Sequence, residues 1–311
     1  MTDRLADAPR RSSRVLGVST VRAPATCGEL VQGTRAGVAF HVTCPIDLYS
    51  TVTVELVEGT RIACSPEHPK AGAGVVAALR HLGVEAGARV TVHSTIPRAK
   101  GLGSSTADVA GTIAACALAA GRPLPPEVIA RLALSVEPTD GSIFPGIVLF
   151  DHRHGADFEW LGNAPAMSVV IVDSGGEVDT VAFNRVDRGA VLRSLEPEHA
   201  EALALARRGL AKGDPALIGR AATLSAIANQ RVLPKPGLPA VLEAARELGA
   251  AGVCVGHSGT VIGVLLDSRT HNAEAVRRLL AAAVPSMPVL GCHRVIGGGV
   301  EVVSGRVSSP D

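Results

Sequence analysis

The chain has 311 residues, of which 47% are apolar, 19% charged and only 2% aromatic; Lys plus Arg (30) nearly balance Asp plus Glu (29), for a formal net charge of +1. That length supports one large or two medium folded units with a substantial core, and the apolar content excludes wholesale disorder. The even charge balance gives no basis for a nucleic-acid or anionic-membrane surface, so no nucleic acid and no membrane is expected as a partner.

Residues 1–14 are polar and arginine-bearing and lack the apolar run of a signal peptide; they read as a disordered tail. A first strand is expected over 15–22, then a glycine-punctuated loop, APATCGELVQG, over 23–33. Strands follow at 38–43 and, by alternation in YSTVTVELV, at 49–57. A small-residue helix over 72–82 and a strand over 88–94 lead to PRAKGLGSS at 97–105 and an Ala-rich helix to about 120. Pro126 suits the first turn of a helix reaching about 136. EPTDG breaks it before a strand at 145–151. After a loop-like stretch at 161–166, the strand MSVVIVD opens a second half. That half continues with helices at 188–209, 214–228 and 238–248, the strands GVCV and VIGVLLD around a GHSGT turn, a helix at 271–283 and a final strand pair at 287–303. The expected organisation is α+β in two lobes: 15–163 as the N-terminal lobe, 164–305 as the C-terminal lobe, and 306–311 as a tail. The run VAGTIAACALAAG at 109–121 is too short to span a bilayer and suits a buried helix. The six cysteines (27, 44, 64, 116, 254 and 292) include no CxxC pair, so small buried thiols in a reducing cytoplasm are expected rather than a zinc site or a disulfide scaffold.

The most informative segment is Pro97 to Asp108. A strand feeds Gly101, Leu102 and Gly103, and Ser104, Ser105 and Thr106 stand where the Ala-rich helix starts. Glycines let successive backbone N–H groups face one anion, and the helix N-terminus adds its dipole. This is a cradle suited to a triphosphate, with Ser104 as a candidate cap and either serine able to meet phosphate or Mg²⁺. Neither GxxxxGK[ST] nor GxGxxG is present, and an ordinary helix cap would use the same residues. Glu137 and Asp140, three apart in EPTDG, can address one small region, one holding Mg²⁺ and the other orienting or deprotonating an acceptor hydroxyl; an ordinary Asp-Gly turn reads the same way. The turn Gly256-His257-Ser258-Gly259-Thr260 fits a close approach to phosphate or substrate, and equally a tight turn in a packed lobe. Cys27 and Asp47 are candidates for the same cleft.

These segments, taken together and in this order, resemble the GHMP kinase superfamily. Pro97 followed by Gly101-Leu102-Gly103-Ser104-Ser105 matches its second motif, Pro24 with Gly28-Glu29 its first, and residues 256–260 its third. More narrowly, PATCGELVQG at 24–33, CPIDLYS at 44–50, EPTDG and GHSGT resemble the L-threonine kinase branch, whose members make O-phospho-L-threonine for the aminopropanol linker of the adenosylcobalamin nucleotide loop. The resemblance implies an N-terminal lobe like domain 2 of ribosomal protein S5, a ferredoxin-like C-terminal lobe, and ATP with Mg²⁺ in the cleft. It implies phosphates over Pro97, Gly101, Leu102, Gly103, Ser104, Ser105 and Thr106, and metal at Ser105 and Glu137. It further implies catalysis by Asp140 with Lys100 neutralising charge, and substrate-side positions among Thr26, Cys27, Glu29, Asp47, His257, Ser258, Gly259 and Thr260. A GHMP-type kinase for homoserine, a sugar or an isoprenoid precursor, and a noncatalytic nucleotide or metabolite sensor, are the alternatives.

Overall fold

The computed structural model describes residues 14–176, 186 and 188–307. Of the two expected tails, 1–13 and 308–311 lie outside the described residues. The chain opens on a hairpin of two long strands, β1 (Val15–Arg35) and β2 (Val38–Val57). Its two-residue turn is Ala36-Gly37, with φ of 50° and 79°; paired positive φ values match the twist of the flanking strands. The loop expected over 23–33 is therefore strand. Its glycines mark a bulge instead: the β1–β2 register shifts between Thr26 and Glu29 and again between Glu29 and Val31. Gly28 sits there at φ 57°, where a Cβ would lie 2.4 Å from the Val255 carbonyl oxygen. A bulge keeps the ladder running while re-aiming the side chains beside it.

β4 (Gly87–Ser94) extends the sheet beyond β2, and the short β3 (Ile62–Cys64) runs parallel to it. β5 (Ile147–Phe150) pairs with β2 at His41 and Val42 and with β6 (Phe158–Gly162). Three helices cover this lobe: α1 (Pro69–Leu82), α2 (Ser104–Ala119) and α3 (Pro126–Leu134). α2 is buried on almost every face, as expected of a helix apolar all round. Its small residues permit this: a Cβ on Gly111 would stand 3.0 Å from Val52 on the sheet.

The second lobe places β7 (Met167–Asp173), β8 (Gly252–Val255), β9 (Val261–Asp267) and β10 (Val289–Arg294) in the order β10-β7-β9-β8, all neighbours antiparallel, which is the ferredoxin-like arrangement. Helices α4 (Gly189–Ser194), α5 (Glu196–Lys212), α6 (Pro215–Asn229) and α7 (Leu238–Glu247) connect β7 to β8, and α8 (Ala273–Ala283) connects β9 to β10. The single helix expected over 188–209 is interrupted at Leu195, because Pro197 imposes a new first turn on α5. The terminal strands do not pair with each other as expected: β10 joins β7, whereas β11 (Glu301–Val307) returns to β1. Arg306 and Val307, read from sequence as tail, complete that strand opposite Val18 and Gly17.

A pair between Glu29 and Val255 joins β1 to β8, so one sheet runs through both lobes. Ala25, Leu30, Phe40, Ile171, Ala206 and Leu265, drawn from both lobes, share one apolar cluster beneath that junction. No helix among the described residues is long and apolar enough to cross a membrane. All six cysteines are free.

Candidate active site

A cleft of about 350 Å³ lies at the mouth of the bulged hairpin, walled by the start of α2, the turn after α3 and the β8–β9 turn. The 97–105 loop that forms one wall has Ala99, Gly101 and Gly103 at φ 58°, 84° and 68°. It is clamped from two sides. Thr26 N–H donates to Leu102 O at 3.0 Å, and Thr260 and Val261 N–H donate to Lys100 O at 3.0 and 3.2 Å. Gly101 lies backbone against backbone with Gly259: a Cβ on Gly259 would stand 2.3 Å from Gly101 Cα. The second and third glycine motifs are thus one packed unit, which explains why both need glycine.

Gly103, in the left-handed region, is the N-cap of α2; Ser104, expected as the candidate cap, is its first helical residue. No side-chain hydrogen bond caps this end, and no acid occupies the first turn. An uncapped N-terminus presents its first N–H donors and its dipole to whatever anion enters the cleft. The contrast with α6 and α8 is direct, since Asp214 and Asn272 cap those helices with side-chain oxygens.

Ser105 Oγ hydrogen-bonds the Glu137 carboxylate, and Lys70 Nζ reaches both, at 3.3 Å from Ser105 Oγ and 2.5 Å from Glu137 Oε2. A hydroxyl and a carboxylate oxygen are hard donors that suit Mg²⁺ with retained waters, and the ammonium of Lys70 shows that this spot accommodates positive charge. Asp140 is half-buried on the same wall. Its Oδ1 accepts from Ser142 N–H at 3.0 Å as the N-cap of a short 3₁₀ turn, Gly141–Ile143. Desolvation pushes its carboxyl above the ordinary range, opposed by the Ser142 and Thr106 hydrogen bonds and reinforced by Glu137. A Cβ on Gly103 would stand 2.9 Å from Thr26 Oγ1 and 3.1 Å from Asp140 Oδ2. The base candidate therefore lies against the helix start itself.

Glu29 projects from the bulge into the same cleft, 7% exposed. Burial, then the charge of Asp140, drives its carboxyl well above the usual value; Lys235 opposes this. Lys235 is buried, donates to Gly259 O at 2.7 Å and is lowered to about 8 by desolvation.

Of the residues singled out from sequence, Gly101, Leu102, Gly103, Ser104, Ser105 and Thr106 line the cleft. So do Glu137, Asp140, Thr26, Glu29, His257 and Ser258. Others are placed elsewhere. Lys100 Nζ is 2.7 Å from Asp173 and donates to Gly176 O, so its charge is spent across to β7 rather than in the cleft. Asp47 accepts from Arg294 N–H and Nε and does not line the cleft. Cys27 is fully buried, 4.0 Å from Cys254 Sγ, with its thiol raised well above the usual value by that contact and by burial, so no thiolate is on offer. Pro97, Gly259 and Thr260 shape the loop from behind without lining the cavity.

Sequence reasoning missed His41, His68, Lys70, Arg98, Asp108 and His152 on the cleft wall. Asp108 had a signal, being the one charged residue in an otherwise apolar helix. It is 4% exposed and held by Ser50 Oγ at 2.6 Å and His68 Nδ1 at 2.8 Å. His41 and His152 had none, because their strands meet only in three dimensions.

Residues 71–146 match the GHMP kinases N terminal domain, and residues 206–285 match GHMP kinases C terminal. The chain is 37% identical to the L-threonine kinase of Salmonella typhimurium, over 92% of this chain and 96% of that one. It is 34% identical to the L-threonine kinase of Citrobacter freundii, over 92% and 100%. Among solved structures, a homoserine kinase from Cytophaga hutchinsonii superposes with a TM-score of 0.70 at 20% identity, over 92% and 97% of the two chains, which speaks for the fold. With the glycine loop, the uncapped helix and the carboxylates converging on one cleft, the chain belongs to the GHMP kinases and is an ATP-dependent small-molecule phosphotransferase.

Proposed function

We propose that the chain transfers the γ-phosphoryl group of ATP to the side-chain hydroxyl of a small hydroxy amino acid, with L-threonine the leading acceptor and O-phospho-L-threonine the product. In this reading the product serves the aminopropanol linker of the adenosylcobalamin nucleotide loop. The observation that carries the proposal is the placement of two acids, the half-buried Asp140 and the buried Glu29, in one cleft with the uncapped start of α2. One acid suffices to receive a hydroxyl proton. A second acid in the same cleft is matched by the ammonium of an amino acid, a group that a sugar or a plain alcohol lacks.

The backbone N–H groups opening α2 hold the terminal phosphates and stabilise charge as it spreads over the transferred group. Ser105 and Glu137 would hold Mg²⁺, which when bound offsets phosphate charge; members of the family generally require ATP and Mg²⁺. Asp140 orients the acceptor hydroxyl and accepts its proton at a carboxylate oxygen. Glu29 receives the ammonium, and the approach of that cation favours the ionised carboxylate. Most of the rate gain comes from positioning and electrostatics.

Homoserine, the acceptor named for the structural relative above, presents the same ammonium with its hydroxyl one carbon further out, and is the second reading. The test is direct detection of phosphorylated product by mass spectrometry with L-threonine, L-serine, homoserine, galactose and mevalonate in parallel. The proposal expects L-threonine to give the highest kcat/KM. Turnover of galactose or mevalonate with none of the amino acids would refute it, as would ATP–Mg²⁺ binding without turnover of any acceptor.

A further inference from the structure

Four carboxylates line the cleft, those of Glu29, Asp108, Glu137 and Asp140, against two lysine or arginine side chains, Lys70 and Arg98. A nucleoside triphosphate brings further negative charge, which one divalent ion and a helix dipole offset only in part. Where the remaining positive charge comes from is therefore a question the cleft has to answer. Two lysines near it are committed elsewhere: Lys100 pairs with Asp173, and Lys235 is buried against Gly259 O. Arg98 lies with Asp108 and His68, its Nη2 3.9 Å from Asp108 Oδ2 and 3.2 Å from His68 Nδ1.

Lys70 is placed differently. It stands in the first turn of α1, just after Pro69, with its side chain 49% exposed and its Nζ 3.3 Å from Ser105 Oγ and 2.5 Å from Glu137 Oε2. Ser105 belongs to the first turn of α2, the end that no side chain caps. The ammonium thus lies beside the N–H donors that would seat the terminal phosphates, and rotation of its flexible stem can carry it from carboxylate to phosphate. As a tie between α1 and the turn after α3 the pair contributes little, because a half-exposed ion pair is screened by water. Nor can Glu137 serve two cations at full strength, since an ammonium and Mg²⁺ on one carboxylate repel. Glu137 also stands three residues from Asp140, whose carboxyl feels its charge. Lys70 is therefore on the side of the seat where the γ-phosphoryl group has to meet the acceptor hydroxyl.

We propose that Lys70 is the side chain that reads the γ-phosphoryl group: it pairs with Ser105 and Glu137 in the free protein and passes to the γ-phosphate oxygens when Mg²⁺ and the nucleotide enter. It fills, from a different helix, the neutralising role that the sequence resemblance gave to Lys100. An ammonium at that position offsets charge as it spreads over the transferred group. The inference rests on the seating of the terminal phosphates at the start of α2 proposed above, and adds to it the residue that tells a triphosphate from a diphosphate.

Calorimetric titration of the full chain with AMPPNP and with ADP, both in excess Mg²⁺, tests this. Lys70→Met should weaken AMPPNP binding by about 10- to 100-fold, the worth of a charged hydrogen bond, and leave ADP close to its normal affinity. Mn²⁺ titration without nucleotide, read by electron paramagnetic resonance, should show tighter ion binding in Lys70→Met, because Glu137 then has no ammonium to lose. A damaged fold would weaken both, so the opposite shifts are specific to the role. Unchanged AMPPNP affinity, equal losses of AMPPNP and ADP, or Mn²⁺ binding no tighter than in the unaltered protein would each overturn the proposal. Gly103→Ala, titrated in parallel, locates the failure. If it too binds AMPPNP normally, the phosphate seat itself is wrong; if it binds AMPPNP weakly while Lys70→Met does not, only the role of Lys70 falls.

Discussion

In the proposed mechanism, Asp140 is where one proton decides turnover. It lies against the helix start, held by Ser142 and by a hydrogen bond with Thr106 in the first turn of α2. Asp140→Asn should lower kcat by about 10²- to 10⁴-fold, the usual worth of a positioned base, with the KM for ATP little changed. The pH profile carries the same information. Burial raises the Asp140 carboxyl above its ordinary value, so the acid limb of kcat should fall at a pH above that of a free aspartate. Below that point the group is protonated and cannot accept the hydroxyl proton. Steady-state kinetics across pH check both, and a variant with unaltered kcat would remove the role. Glu137 differs because it shares Ser105 with the ammonium of Lys70. Glu137→Gln should raise the Mg²⁺ concentration needed for half-maximal rate by about tenfold or more, while metal-free ATP binding stays close to normal. Mg²⁺ titrations at fixed ATP read this out.

At the scale of elements, the N-terminus of α2 carries the proposed phosphate site, and Gly103 is its weak point. The residue holds φ 68° and faces Thr26 Oγ1 and Asp140 Oδ2 where a methyl would go. Gly103→Ala should cost about 1–2 kcal/mol in backbone strain and raise the KM for ATP, since the first-turn N–H groups move with it. Thermal melts and ATP titrations test the two effects separately. This element was legible in the sequence, because PRAKGLGSS followed by an Ala-rich run announces a glycine turn into a buried helix. The early loop was not. PATCGELVQG has the composition of a turn but forms strand, since a bulge at Gly28 absorbs the glycine and β2 and β8 supply partners from far along the chain. Glu29 was legible as a candidate and does line the cleft with Asp140, though its setting on a bulge was not legible. Lys100 misled because charge beside a phosphate loop suggests phosphate, whereas Asp173 is nearer in space and remote in sequence. His41, His152 and Lys235 gave no signal for the same reason.

On the scale of the whole molecule, the cleft exists because both lobes share one sheet and close glycine-to-glycine contacts. Gly101 and Gly259 lock the 97–105 loop to the β8–β9 turn, and Lys235 fastens that turn from below through Gly259 O. Burying an ammonium there has a price in stability with a definite pH signature. The Lys235 pKa is depressed from 10.5 to about 8 in the folded chain. Between those values the unfolded chain binds more protons than the folded one, so stability rises with pH across that window; below about 8 the full cost is present. Relative to Lys235→Met, the unaltered protein should gain up to about 3 kcal/mol from pH 8 to 10.5. Denaturant melts of both proteins at several pH values provide the check, and a pH-independent difference would show that the lysine is not desolvated.

All of these arguments depend on terminal phosphates seated at the start of α2. A crystal structure with a nonhydrolysable ATP analogue and Mg²⁺ tests that most directly. The account predicts phosphate oxygens within hydrogen-bond reach of the backbone N–H groups of Gly103, Ser104 and Ser105, with Lys70 displaced from the Ser105–Glu137 pair by the ion. Phosphates bound elsewhere, with that helix end still facing solvent and Lys70 still in place, would contradict it.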